Sequence, residues 1–122
     1  MAKKKSNTES SVLCDLVVKG MQEKKGEDIA VIDLRNIKNA VSDYFIICSG
    51  NSDTHADSIS DSVEEEVHKV AEVWPWQSEG RGNKEWILLD YVDVVAHVFR
   101  KDRREFYGLE ELWGDAKIVW HK

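Results

Sequence analysis

The residues able to do chemistry in this chain are scattered rather than gathered. His55, His68, His97 and His121 form no His-x-x-x-His or His-Cys pair with metal-ligand spacing, so no metal centre or cofactor is expected. His97 lies inside an apolar run, where a buried imidazole hydrogen-bonded to a neighbour is the common arrangement. Cys14 and Cys48 are far apart and embedded among aliphatic residues, which reads as two reduced structural thiols. Ser49-Gly50-Asn51-Ser52 leads from a strand pattern into a helix pattern, a place where backbone N–H groups can hold phosphate. The longer glycine loop ending in Gly-Lys-Ser or Gly-Lys-Thr is absent. A magnesium-dependent nucleotidyltransferase would want carboxylates two apart on a strand; none stands on a predicted strand, and Asp33, Asp90 and Asp93 are the only candidates to converge. Glu64, Glu65 and Glu66 occupy successive helix positions about 100° apart, cannot share one substrate, and read as solubilising charges. Arg100, Lys101, Arg103 and Arg104 form a basic cluster without interleaved exposed aromatics, which favours surface ion pairing over phosphate contact.

One group points elsewhere. Trp86 opens a strand after a turn-rich loop, beside Glu85 and ahead of Asp90 and Tyr91. It is either core or, if exposed, an aromatic framed by carboxylates, the composition of a protein-binding hot spot facing a basic surface.

The elements that must position these residues follow from patterning. A chain of 122 residues is one domain, long enough to take roughly two-thirds of its unfolded surface out of water. Hydrophobic residues at 42%, charged residues at 33%, one Pro and 7 Gly exclude a disordered or collagenous chain. Residues 1–10 read as a basic disordered tail and 117–122 as a loosely docked C-terminal tail whose Ile118, Val119 and Trp120 could pack back, with the domain at 11–116. Leu13, Leu16, Val17, Gly20 and Met21 mark a first amphipathic helix ending near Lys25-Gly26. Residues 28–34 and 44–48 are two strands without clean alternation, hence interior and covered on both faces. Ala56, Ile59, Val63, Val67 and Val70 trace a long helix, capped by Ser52, with an acidic opposite face. A short or edge strand is expected near Val73, before the loop 79–83. Residues 86–90 and 94–99 form an antiparallel hairpin, and 101–113 a third helical region.

The second strand, the long helix and the third strand suggest a parallel crossover. The expected fold class is α/β, a mixed five-stranded sheet with helices. Three helices of this length leave part of such a sheet bare, so apolar sheet surface is expected to await a partner. A self-associating dimer is one way to cover it. The formal net charge of −6 opposes attraction to naked nucleic acid and favours a basic partner. No apolar stretch reaches the roughly 18 residues of a membrane span, and no Arg-rich presequence precedes the domain, so a cytoplasmic location without membrane attachment is expected.

Four stretches, 43–52 (DYFIICSGNS), 86–91 (WILLDY), 93–99 (DVVAHVF) and 104–113 (REFYGLEELW), together resemble the ribosomal silencing factor family, also called Iojap, over about residues 11–116. The resemblance implies a nucleotidyltransferase-like fold without the catalytic carboxylate pair, and a regulator that is not an enzyme. It implies binding to ribosomal protein L-fourteen on the large ribosomal subunit, steric exclusion of the small subunit, and lower translation when nutrients are scarce. Carried onto this chain, the contact surface is the strand and turn from Trp86 to Tyr91. Trp86 and Leu88 would supply apolar contact, Glu85, Asp90 and Asp93 acidic complementarity, and Tyr91 a contact from the rim. Alternation puts Trp86, Leu88 and Asp90 on one face. Val92 stands where glycine is common in the family, although a β-branched residue resists positive φ. The tryptophans of Trp74-Pro75-Trp76 are also unusual there, and would either enlarge an apolar patch or cover the sheet.

Overall fold

The computed structural model describes residues 9–121; most of the tail expected at 1–10 lies outside them. Helix α1 (Ser10–Glu23) buries Leu13, Leu16, Val17 and Met21. Strands β1 (Glu27–Asp33) and β2 (Tyr44–Gly50) follow, then α2 (Asp53–Ala71). The Ser52 hydroxyl accepts the His55 N–H at the start of α2, as the side-chain cap at that position requires. Edge strand β3 (Gln77–Glu79) comes next, then β4 (Trp86–Asp90), β5 (Val94–Arg100), α3 (Lys101–Tyr107), α4 (Leu109–Leu112) and β6 (Lys117–His121).

The sheet has six strands in the order β3-β4-β5-β2-β1-β6, not the expected five. The missing strand is β6, read from sequence as a loose tail. Its Ile118, Val119 and Trp120, the residues that could pack back, pair antiparallel with Ile32, Val31 and Ala30 of β1. The early edge strand falls at Gln77–Glu79 rather than near Val73, and all three of its residues are exposed. Among the described residues, β2 and β5 are the only neighbouring strands that pair in parallel. Because β3 is antiparallel to β4 and β4 to β5, β3 runs the same way as β2, so the passage through α2 from the second strand to the third is the expected parallel crossover; it ends at the sheet edge, and β5 rather than β3 pairs with β2. The third helical region breaks at Gly108, whose φ of +57° ends α3 in the left-handed region that glycine adopts at least cost.

Alternation along the strands divides the core. One layer, between the sheet and α1 with α2, contains Ile29, Val31, Ile46, Val94, Ala96 and Val98. The helices approach closely because α1 presents Gly20 to α2: a Cβ there would lie 2.7 Å from Val63 Cα. Ser62 Oγ donates to the Gly20 carbonyl across the same contact at 2.8 Å. Glu66 is buried and bridges Lys19 of α1 and Lys69 of α2 at 3.4 and 3.2 Å. Glu64 pairs with Arg81 at 3.3 Å. Two of the three consecutive glutamates are thus structural ion-pair partners rather than merely solubilising charges. The second layer lies on the other face, where Ile32, Phe45, Ile47, Val95 and Phe99 pack with Leu109 and Trp113.

Candidate partner-binding site

Strand β4 places Trp86, Leu88 and Asp90, each half-buried, on the face away from α1 and α2, while Ile87 and Leu89 enter the helix-side core. Gly80 fixes where β4 begins. It has φ +88°, and a Cβ on it would stand 2.0 Å from the Trp86 carbonyl oxygen, so no other residue fits without moving the strand. Arg81 ties the same loop to α2 through Asp57 and Asp61 at 2.6 and 3.0 Å.

The Trp86 ring is held rather than free. Its Nε1–H donates to His97 Nδ1 at 3.0 Å, and it stacks on Phe99 at a centroid distance of 5.0 Å. Tyr107 closes its other flank at 4.9 Å. Such pre-organisation lowers the entropy lost when an aromatic anchor engages a partner. His97 is 2% exposed, and burial depresses its imidazole to about 3; because Nδ1 accepts, the neutral ring carries its proton on Nε2. Phe45 packs edge-on against it at 4.6 Å. The reading of His97 as a buried, hydrogen-bonded imidazole fits this arrangement.

The acidic residues divide by role. The Glu85 carboxylate lies 3.3 Å from Arg103 Nε and accepts the Tyr107 hydroxyl. Asp90 Oδ1 accepts the Val92 N–H at 2.7 Å, and its main-chain carbonyl accepts the Trp76 N–H. The Asp93 carbonyl accepts the N–H groups of Asp43 and Tyr44, locking the turn to β2. Tyr91 differs from expectation: it is 7% exposed and lies in the helix-side core, so it supports the turn from beneath instead of reaching out from its rim. Burial, with Glu64 nearby, raises its phenol above the usual range. Val92 does take positive φ, +79°, in a three-residue turn closed by Asp93 N–H donating to the Tyr91 carbonyl at 3.0 Å.

Two concavities flank Leu88. One, about 270 Å³, runs along Trp86, Glu85 and Tyr107. The other, about 480 Å³, is walled by Val41, Phe45, Trp76 and Leu88 beside Asp90 and His97. Val41 and Trp76, both absent from the sequence-derived site, are 81% and 73% exposed. The signal for Trp76 was the Trp74-Pro75-Trp76 triplet, whose two tryptophans part company: Trp76 enlarges the apolar face, while Trp74 stacks on His68 of α2 at 4.0 Å. Val41 sits in an irregular connection and carried no pattern.

Elsewhere the chemical candidates are engaged within the chain. Arg100 pairs with Asp53 and Asp102, Lys101 with Glu27, Arg103 with Glu85, and the buried Arg104 with Glu110. In the Ser49–Ser52 turn, Ser49 Oγ accepts from Arg104, the Asn51 N–H donates to His55 Nδ1, and Ser52 caps α2. Asp33 is on β1, separated from β4 by two strands, and pairs with Arg35. Among the described residues, no three His, Cys, Asp or Glu side chains gather as a metal would need, and no helix is long and apolar enough to cross a membrane. Both thiols are buried and pushed up to about 12 by desolvation, which makes them poor nucleophiles.

Residues 6–121 match the family described as "Ribosomal silencing factor during starvation". The chain is 41% identical over 97 residues to the ribosomal silencing factor RsfS of Bacillus subtilis, covering 80% of each. It is 38% identical over 110 residues to the RsfS of Halalkalibacterium halodurans, covering 88% of this chain and 90% of that one. A crystal structure of a Chromobacterium violaceum protein superposes with a TM-score of 0.82 at 27% identity, covering 94% of both chains.

Proposed function

The chain belongs to the ribosomal silencing factor family, and from that premise we propose that it represses translation by occupying the large ribosomal subunit. In this reading it binds ribosomal protein L-fourteen and sterically blocks the small subunit when nutrients are scarce. The contact is made by Trp86 and Leu88, with Asp90, Asp93 and Glu85 around them and Tyr91 bracing the turn from below. The observation that carries the reading is a half-buried tryptophan, clamped by His97 and Phe99, on a sheet face that α1 and α2 leave uncovered. An acidic factor suits a basic ribosomal protein better than rRNA phosphate. The same face would serve a homodimer, so self-association and ribosome binding would compete. The protein acts in the cytoplasm, on a nucleotidyltransferase-like scaffold without catalytic carboxylates. The alternative, magnesium-dependent nucleotide binding at Ser49–Ser52, loses support because the Asn51 N–H donates to His55 and the Ser52 hydroxyl is taken up by the His55 N–H.

The deciding experiment is sedimentation of the protein with purified large subunits, then with small subunits added, at two salt concentrations. Binding that lowers the yield of joined ribosomes and weakens with salt is expected. Absence of binding at either salt would overturn the proposal.

A further inference from the structure

The larger groove beside Leu88 is lined by a residue with a hydrogen-bond donor that has no acceptor among the described residues. His97 lines it, and His97 Nε2 is buried without a hydrogen-bond partner among the described residues. With Nδ1 occupied by Trp86, Nε2 is the protonated nitrogen. A buried N–H without an acceptor is costly, so an acceptor brought by a ligand gains what the free protein lacks. The walls are apolar: Val41, Phe45, Trp76 and Leu88 face a space of about 480 Å³, and among the described residues Asp90 is the one carboxylate lining it.

Three features together describe an occupant: an apolar body for the walls, an acceptor for His97, and a cation for Asp90. A segment of basic protein in which an apolar side chain neighbours Lys or Arg carries all three, since its main-chain carbonyl is the acceptor. RNA does not fit, because phosphate would meet Asp90 on a chain of formal net charge −6. We propose that this groove is a second anchoring subsite. It receives one apolar side chain of a basic protein segment, His97 Nε2–H donates to a carbonyl of that segment, and Asp90 pairs with its flanking cation. The inference rests on the reading that this face docks on the large subunit, and extends it across Leu88 from the Trp86 side to Val41 and Trp76.

The test measures cosedimentation of full-length variants with purified large subunits. Val41→Arg places a cation on the groove's lip and Trp76→Ala removes a wall; both positions are exposed, so the fold is retained, as thermal melts will check. Each is expected to weaken binding about tenfold, while Val119→Arg, on strand β6 at the far edge of the sheet, leaves it unchanged. His97→Gln, whose amide can donate in place of Nε2–H, should bind better than His97→Phe; if both unfold, the two surface variants decide alone. Wild-type binding by Val41→Arg and Trp76→Ala, alongside impaired Trp86→Ala, overturns the second subsite and leaves the docking face standing. Undiminished binding to protein-free ribosomal RNA overturns the choice of occupant. A wild-type chain that fails to sediment with subunits removes the docking reading, and this inference with it.

Discussion

The two faces of the sheet are built by different rules. On the helix side, aliphatic residues from β1, β2, β4 and β5 meet α1 and α2, and Gly20 and Ser62 bring the helices into backbone contact. On the other side, aromatic rings and one imidazole are linked by a Trp86–His97 hydrogen bond, short helices cover only part of the surface, and Trp76 and Val41 stand in solvent. The first face spends its contacts on folding. The second keeps a rigid aromatic group at a surface, which in the proposed docking would serve recognition and adds less to stability. Substitutions should therefore separate the faces: helix-side changes cost folding, open-side changes cost binding.

The largest expected effect comes from the helix side. Ile46 is fully buried there, and Ile46→Ala should destabilise the fold by about 4 kcal/mol, transfer and cavity contributions together. Urea unfolding checks the value, and binding per folded molecule should be unchanged. A loss of affinity in the folded fraction would break the division between the faces.

Next is Trp86→Ala. The ring makes a hydrogen bond and contacts Phe99 and Tyr107, so some stability is lost. Large-subunit binding should fall further, by about 2 kcal/mol. A titration of subunits against the folded variant that leaves affinity intact would assign Trp86 to the core alone.

The third effect is a pH dependence located on the open face. Burial lowers His97 from 6.5 to about 3 in the folded chain. Between those values the unfolded chain binds a proton that the native chain refuses, so stability is full above pH 6.5 and declines as pH falls toward 3. Taking the pH from 7.5 to 5.5 should cost about 1 kcal/mol. The depressed carboxyls of Asp33 and Asp102 titrate below their ordinary 3.8 and do not contribute in that range. Denaturation curves at the two pH values check this, and His97→Gln should flatten the difference. A slope that survives His97→Gln would place its origin elsewhere.

The faces also differ in how far they can be read from sequence. Helix-side positions in α1 and α2 repeat at about four, and the central strands stand out as unbroken apolar runs covered on both faces. Ser52 marked the start of α2 by residue type alone. The open face depends on pairings that no local pattern records. Its β4 alternation was legible, and so was His97 as a bonded imidazole. Tyr91, at the end of that alternation, turns inward, and Val41 reaches the groove from an irregular segment between β1 and β2. Strand β6 is decided in the same way: Ile118, Val119 and Trp120 could pack back on residue type, but they become a strand because β1 offers an edge.

Val92 joins the two concerns, with the smallest expected effect. Its φ of +79° lies where a β-branched residue is strained, yet the turn is held by Val92 N–H to Asp90, by Ser42 Oγ to the Val92 carbonyl and by Asp93 N–H to Tyr91. Glycine would relieve the strain and keep all three bonds, at the cost of a more flexible unfolded chain and of the apolar contact the side chain makes in the groove. The relief is the larger quantity for a branched side chain, so Val92→Gly should gain about 0.5 kcal/mol in urea unfolding. The same change removes part of the groove wall and should weaken subunit binding about threefold. A variant that becomes more stable while binding less would show strain retained on the recognition face for the sake of shape. Equal movement of both quantities in one direction would instead make Val92 an ordinary packing residue, and the contrast between the faces would stop short of this turn.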